Sequence, residues 1–176
     1  LMKINNKDKN IVLIGFMGSG KTSVGKRLSL VLKREFIDTD DFIEKREGMT
    51  INEIFKEKGE EEFRKIEREL YKRFSTPKKK IIATGGGVIK NPANIANLKK
   101  GGVIVYLKSS PEKIAQNLKF DNTRPILQVD DKEAKIRELL AQREPFYNKY
   151  AEITIDVSNY DIDHTVDKII ELAKVW

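Results

Sequence analysis

The sequence predicts an α/β fold in three layers, with a five-stranded parallel sheet between two sets of helices. Two observations support this. Five short apolar runs rich in β-branched residues alternate with segments whose apolar residues recur at spacings of three and four. Such alternation builds parallel strands joined by crossover helices, and ligands in these sheets bind at the carboxyl ends of the strands. Glycine-rich stretches follow two of the runs, at 15–20 and 85–87, where a ligand crevice belongs. The length of 176 residues suits one domain, 1–176, and no internal repeat or linker argues for a second.

Taken in order, residues 10–14 (NIVLI) form a short apolar strand that runs into glycine. Residues 21–33 then carry Val24, Leu28, Val31 and Leu32 at helical spacing. Residues 35–40 read as a second strand, with Phe36, Asp38 and Asp40 on one face because side chains alternate. Thr50 with Glu53 is a capping-box pattern that opens a short helix, and Gly59 breaks it. The next helix turns Phe63, Ile66, Leu70 and Phe74 inward. Residues 80–84 are a strand leading into Gly85, Gly86 and Gly87, a triplet that reads as an irregular turn because regular elements do not tolerate it internally.

Asn91 before Pro92 marks a helix start, and residues 102–107 (GVIVYL) form a strand buried on both faces. Another helix begins at Ser110 and Pro111. Residues 120–131 are polar and irregular, a loop long enough to be functional. Residues 132–150 are helical, kinked or ended near Pro145, and residues 153–157 alternate as the last strand. A terminal helix starts near Asp161.

Hydrophobic residues at 39% and charged residues at 35% describe a globular chain rather than a disordered one. Lys3, Lys7 and Lys9 ahead of an apolar stretch imitate a signal peptide, but a phosphate-binding motif occupies the same stretch, and Leu1 is set aside from fold reasoning. No run approaches the roughly 20 apolar residues of a membrane helix. The absence of cysteine removes disulfides, thiol chemistry and thiolate metal sites and fits the cytoplasm, where a monomer is expected. A net charge of +7 suits acidic small molecules as well as nucleic acid; the only tight basic run, Lys78 to Lys80, reads as a solvated turn, so no nucleic-acid or membrane partner is expected.

The motif G-x-x-x-x-G-K-[ST] is met by Gly15, Gly20, Lys21 and Thr22, with an extra glycine at Gly18. Glycines let the backbone curl its N–H groups toward phosphate oxygens, and the following helix adds its positive N-terminal end. The expected nucleotide contacts are Gly18, Ser19, Gly20, Lys21, Thr22 and Ser23, with Lys21 on the β- and γ-phosphates and the Thr22 hydroxyl on Mg²⁺. An ordinary glycine turn is the bland alternative, disfavoured by the strand before and the helix after. A phosphate loop does not by itself separate a kinase from a GTPase or a motor, but an NKxD-type guanine-reading motif is missing.

Asp38 and Asp40 form either an acidic turn or a functional pair, with Asp38 reaching Mg²⁺ through water and Asp40 an acceptor hydroxyl. Arg143 lies on a stripe with Ile136, Leu139, Leu140 and Tyr147, so it faces inward, as a snorkelling or structural charge or as a fork for a carboxylate. Arg64 could supply a second fork, although a solvated charge among Glu61, Glu62, Lys65 and Glu67 is the simpler reading. Arg124 is a plain loop charge or a residue that closes over a transferring phosphoryl. His164, early in the last helix, reads as surface.

In order along the chain, GFMGSGKTSVGKRL, FIDTD, INEIFKEKGEEEFRKIE, TGGGV, TRPIL and QREPFY resemble the shikimate kinase family. The phosphate loop is widely shared; the DTD, FRKIE, GGG and TRP combination is far more specific. The resemblance implies a P-loop kinase of nucleoside-monophosphate-kinase type. It also implies ATP- and Mg²⁺-dependent phosphorylation of the 3-hydroxyl of shikimate in aromatic amino-acid biosynthesis. Asp40 would then hold the shikimate hydroxyls, Arg64 and Arg143 its carboxylate, and Gly85, Gly86 and Gly87 would offer backbone contact. Lys21, Thr22 and Asp38 would serve phosphate and Mg²⁺, and Arg124 of the lid would touch the ATP phosphates, with Lys21, Asp40 and Arg124 catalytic. Residues 39–67 would form the substrate-binding region and 119–131 a lid. Asn117 stands where the family often carries an arginine that packs on adenine, with Lys119 nearby. The alternatives are a kinase of another small polyol acid such as gluconate, and a nucleotide-gated binding module.

Overall fold

The computed structural model describes residues 6–121 and 124–175. Its centre is β1 (Asn10–Ile14), buried along its whole length. Four further strands run parallel to it: β2 (Phe36–Asp38), β3 (Ile81–Ala83), β4 (Gly102–Lys108) and β5 (Ile153–Asp156), in the order β2-β3-β1-β4-β5. Register places Val12 beside both Ile82 and Ile104. The chain leaves β1 toward β2 and β3, then crosses back over to β4. That reversal opens a crevice at the carboxyl end of β1, the place where such sheets hold ligands.

The helices are α1 (Lys21–Leu32), α2 (Thr39–Glu47), α3 (Ile51–Lys58), α4 (Glu60–Arg73), α5 (Pro92–Gly101), α6 (Pro111–Asn117), α7 (Lys132–Tyr150) and α8 (Ile162–Ala173). Alternation along the strands divides the core in two. Val12, Ile14, Ile82, Ile104 and Tyr106 face Ile54, Phe63, Ile66, Leu70 and Leu98 of α3, α4 and α5. Ile11, Leu13, Ile81, Val103 and Val105 face Val24 and Leu28 of α1 and Val166 and Ile169 of α8. A third cluster joins Phe16, after β1, to Leu118, Leu127, Ile136, Leu139 and Leu140. The sheet is thus covered on both sides, as the apolar runs predict.

Local signals place most helix starts. Thr50, Asn91, Ser110 and Asp161 each accept a backbone N–H at the start of α3, α5, α6 and α8. The 3₁₀ turn Pro125–Leu127 interrupts the expected loop at 120–131, of which residues 122 and 123 lie outside the described set. His164 is exposed beside Asp161, and Lys78 and Lys79 are exposed, as expected. Among the described residues no helix is long and apolar enough to cross a membrane.

Four expectations need correction. The second strand stops at Asp38, and α2 starts at Thr39, so Asp40 stands in the first turn of a helix rather than on a strand face. The Asp38 carboxylate forces this switch by accepting the Asp41 N–H at 3.1 Å. Gly86 and Gly87 sit inside a 3₁₀ turn, Gly86–Lys90, rather than in irregular backbone. Val31 is 52% exposed, because α1 rolls Val24 and Leu28 onto the sheet instead. Finally, α7 continues through Pro145, and Tyr147 of its last turns is fully buried and stacks on Tyr106 with ring centroids 4.9 Å apart. That packing holds the final turns despite the missing N–H.

Asn10 is a polar residue in an otherwise apolar strand, with 0% exposure. Its Oδ1 accepts N–H bonds from Lys78 at 3.0 Å and Lys80 at 2.9 Å, fixing the turn in which Lys79 takes a left-handed φ of 56°. Asn10→Ala leaves two inward-facing amides without their acceptor, each worth ~1–3 kcal/mol. The variant should lose about 2–6 kcal/mol of stability in urea unfolding; a midpoint like that of the parent chain would contradict this reading.

Candidate active site

The crevice at the end of β1 is filled by the phosphate loop. Gly18 and Gly20 adopt φ of 76° and 90°, which other residues reach only with strain. No side chain caps the N-terminus of α1, so its first amides stay open to an anion. Lys21 Nζ turns back to donate to the carbonyl oxygens of Gly15 and Phe16, the latter at 3.1 Å. Burial, and next the charge of Arg124, lower the Lys21 ammonium to about 8. The Ser19 hydroxyl is buried and without a partner, while Ser23 is exposed in the first turn of α1.

Thr22 Oγ1 lies 3.1 Å from Asp38 Oδ2, which joins the hydroxyl of the loop to the carboxylate at the end of β2. This pair of hard oxygen donors suits Mg²⁺ completed by water and phosphate. Among the described residues no group of three or more His, Cys, Asp or Glu could hold a metal alone.

The acceptor half is built against the triple glycine. A Cβ on Gly85 would lie 2.6 Å from Asp40 Oδ1, one on Gly86 3.3 Å from Arg143 Nη1, and one on Gly87 1.8 Å from Arg64 Nη1. Each glycine clears space for one charged side chain. The Gly85 N–H donates to Thr39 Oγ1 at 3.1 Å and faces the Tyr71 hydroxyl at 3.4 Å, which pins the turn to α2 and α4. Burial, and then Asp38, raise the Asp40 carboxyl above its usual range.

Arg64 is no solvated helix charge: its side chain is only 22% exposed and its Nη1 donates to Glu67 Oε1 at 2.7 Å. The guanidinium lies over Phe63 and Phe55, 5.2 and 5.8 Å from the ring centroids. Arg143 lies over Phe16 at 5.3 Å, with Nη1 buried and unpartnered. Arg124 pairs with Asp121 at 3.3 Å. It stands where two spaces meet, an acceptor cleft of about 890 Å³ that reaches Phe55, Arg64 and Arg143, and a phosphate-loop cavity of about 240 Å³. Asp40 and Arg124 border both.

Of the residues singled out from the sequence for nucleotide, metal or acceptor, all but the buried Ser19 line one of these two spaces. Sequence reasoning missed Glu67, Phe55, Thr39 and Tyr71. Glu67 had a readable signal, since it falls on the inward stripe between Phe63 and Leu70 and three residues after Arg64. Thr39 and Tyr71 had none, because their shared contact with Gly85 spans three separate elements. Asn117 donates from Nδ2 to the Gly18 carbonyl at 2.8 Å, so it braces the phosphate loop.

A family model described as shikimate kinase matches residues 17–174. The shikimate kinase of Caldanaerobacter subterraneus subsp. tengcongensis is 51% identical over 162 residues, covering 92% of this chain and 94% of that relative. A shikimate kinase from Acinetobacter baumannii, solved in complex with shikimate, superposes with a TM-score of 0.86 at 40% identity, covering 93% of this chain and 92% of its own. A gluconokinase from Sinorhizobium meliloti reaches a TM-score of 0.54 at 14% identity, covering 95% of this chain and 92% of its own, a likeness of fold alone. A family match over nearly the full length, joined to a relative identical at half of the aligned positions, means that the chain belongs to the shikimate kinase family.

Proposed function

We propose that this chain transfers the γ-phosphoryl group of ATP to the 3-hydroxyl of shikimate, giving shikimate 3-phosphate and ADP. One observation carries the acceptor half: Asp40, Arg143 and Arg64 each sit against one glycine of Gly85–Gly87 beside the phosphate loop. A carboxylate and two guanidinium groups converging there suit a small acceptor with both hydroxyls and a carboxylate. Arg64 and Arg143 take the carboxylate, and the 3₁₀ turn contributes backbone at Gly86. Residues 39–67 make the substrate-binding region and 119–131 the lid.

Asp40 orients the hydroxyl and is placed to accept its proton, a task its raised carboxyl suits better than an ordinary aspartate would. Lys21 leaves the Gly15 and Phe16 carbonyls for the phosphate oxygens, and Arg124, at the junction of the two spaces, offsets charge on the moving phosphoryl. Thr22 and, through water, Asp38 would hold Mg²⁺, which supplies charge neutralisation at the phosphates. Both half-sites come from one chain, consistent with a monomer at work in the cytoplasm. Catalysis here is positioning and charge, since phosphoryl transfer leaves little covalent work for the protein.

The direct test is ATP turnover with shikimate, gluconate and RNA offered separately. Shikimate-dependent release of ADP with matching shikimate 3-phosphate is expected, whereas turnover indifferent to shikimate would reject the assignment.

Gly87→Ala sets a methyl 1.8 Å from the far end of a flexible side chain, so Arg64 should yield and the fold should survive. The KM for shikimate should rise by roughly tenfold or more while the KM for ATP stays within about twofold. Parallel rises in both would deny Arg64 its acceptor role.

Proton linkage offers an independent check. Lys21 is held near about 8 in the free protein, so above that pH much of it is neutral. Phosphate oxygens favour the charged form, so nucleotide binding should draw in up to about one proton there, and progressively less as pH falls below 8. Calorimetry of a non-hydrolysable ATP analogue in two buffers of different ionisation enthalpy measures it. Uptake that persists in Lys21→Met would assign the proton elsewhere.

A further inference from the structure

We infer that Phe16 is a positioning residue for the acceptor's carboxylate, its ring serving as the seat on which the Arg143 guanidinium is held. The inference rests on the reading of Arg143 as a carboxylate ligand. Phe16 belongs to the phosphate loop and is 1% exposed, so its ring is committed inward. Its backbone is tied down, with the carbonyl accepting from the Ser19 N–H at 3.1 Å and from Lys21 Nζ at 3.1 Å. The ring packs with Leu139 and Leu140, which precede Arg143 on α7, and with Leu118 and Leu127.

The two arginines of the acceptor cleft are held by different means. Arg64 spends Nη1 on Glu67 at 2.7 Å and faces Glu60 through Nε at 3.4 Å. Among the described residues no carboxylate of the chain pairs with Arg143, and its Nη1 is buried with no partner at all. The Phe16 face holds it, 5.3 Å from ring centroid to Cζ, with the Tyr147 hydroxyl beside the guanidinium and Gly86 leaving room at Nη1.

A ring attracts a cation through its face and consumes no N–H donor. A carboxylate in the same place would occupy the edge of the fork that a substrate carboxylate needs. Phe16 therefore holds the guanidinium by its face and leaves Nη1 free. An aliphatic side chain of similar bulk would fill the space without holding the charge.

Calorimetric titrations of shikimate and of its methyl ester into the parent chain, Phe16→Leu and Phe16→Met test this, with urea unfolding as the check on folding. Loss of the cation–ring attraction should weaken shikimate binding about 3- to 30-fold. The uncharged ester should change by less than about twofold. Equal losses for acid and ester, or no loss for the acid in a folded variant, overturn the seat. A parent chain that binds acid and ester equally well would instead remove the carboxylate role of Arg143, and this inference with it. Two substitutions of different shape guard against one that fails to fold.

Discussion

The site depends on a close approach that only glycine permits. Three consecutive positions after β3, Gly85 to Gly87, each leave the volume of a missing Cβ to a different charged side chain arriving from α2, α7 and α4. None of the three has a positive φ, so the need for glycine is one of space rather than of backbone conformation. With methyl groups at Gly85 and Gly87, the Asp40 carboxylate and the Arg64 guanidinium would have to leave this wall, whereas one at Gly86 would press Arg143 by only a few tenths of an ångström. Thr39 and Tyr71 then hold that wall in place from behind through the Gly85 N–H.

Around this wall Arg64 and Arg124 are held by carboxylates of the chain, whereas Lys21 and Asp40 are shaped mainly by burial. Burial lowers Lys21 and raises Asp40, so each is held away from its ordinary range in the direction of neutrality. Burial also raises Glu67, while Arg64 pulls in the opposite sense. An orphaned guanidinium donor on Arg143, a residue that lines the acceptor cleft, is left by this arrangement. A group left unpaired in a low-dielectric space costs stability, and an anion arriving there would recover that cost.

The third apolar cluster gives the two halves a common foundation. Phe16 from the phosphate loop, Leu118 from the end of α6, Leu127 from the Pro125–Leu127 turn, and Leu139 and Leu140 from α7 are packed together. Because the interior has little free volume, the phosphate loop and α7 are positioned against each other through this cluster.

Much of this was legible in the sequence, for identifiable reasons. Parallel strands buried on both faces write themselves as continuous apolar runs, and helix starts at Thr50, Asn91, Ser110 and Asp161 are local side-chain chemistry. The phosphate loop is likewise local, because its glycines, lysine and threonine act within eight residues. The inward face of Arg143 followed from the 3.6-residue period of α7. What the sequence could not decide were properties that distant segments confer on one another. Asp40 moved from strand to helix when the Asp38 carboxylate capped α2, and Arg64 proved shielded because Glu67, Phe63, Phe55 and Gly87 enclose it. The order of the triple glycine tells nothing of which side chain each one admits. That assignment exists only after three helices have packed against the sheet, because the space a missing Cβ leaves is defined by its neighbours and not by the glycine itself.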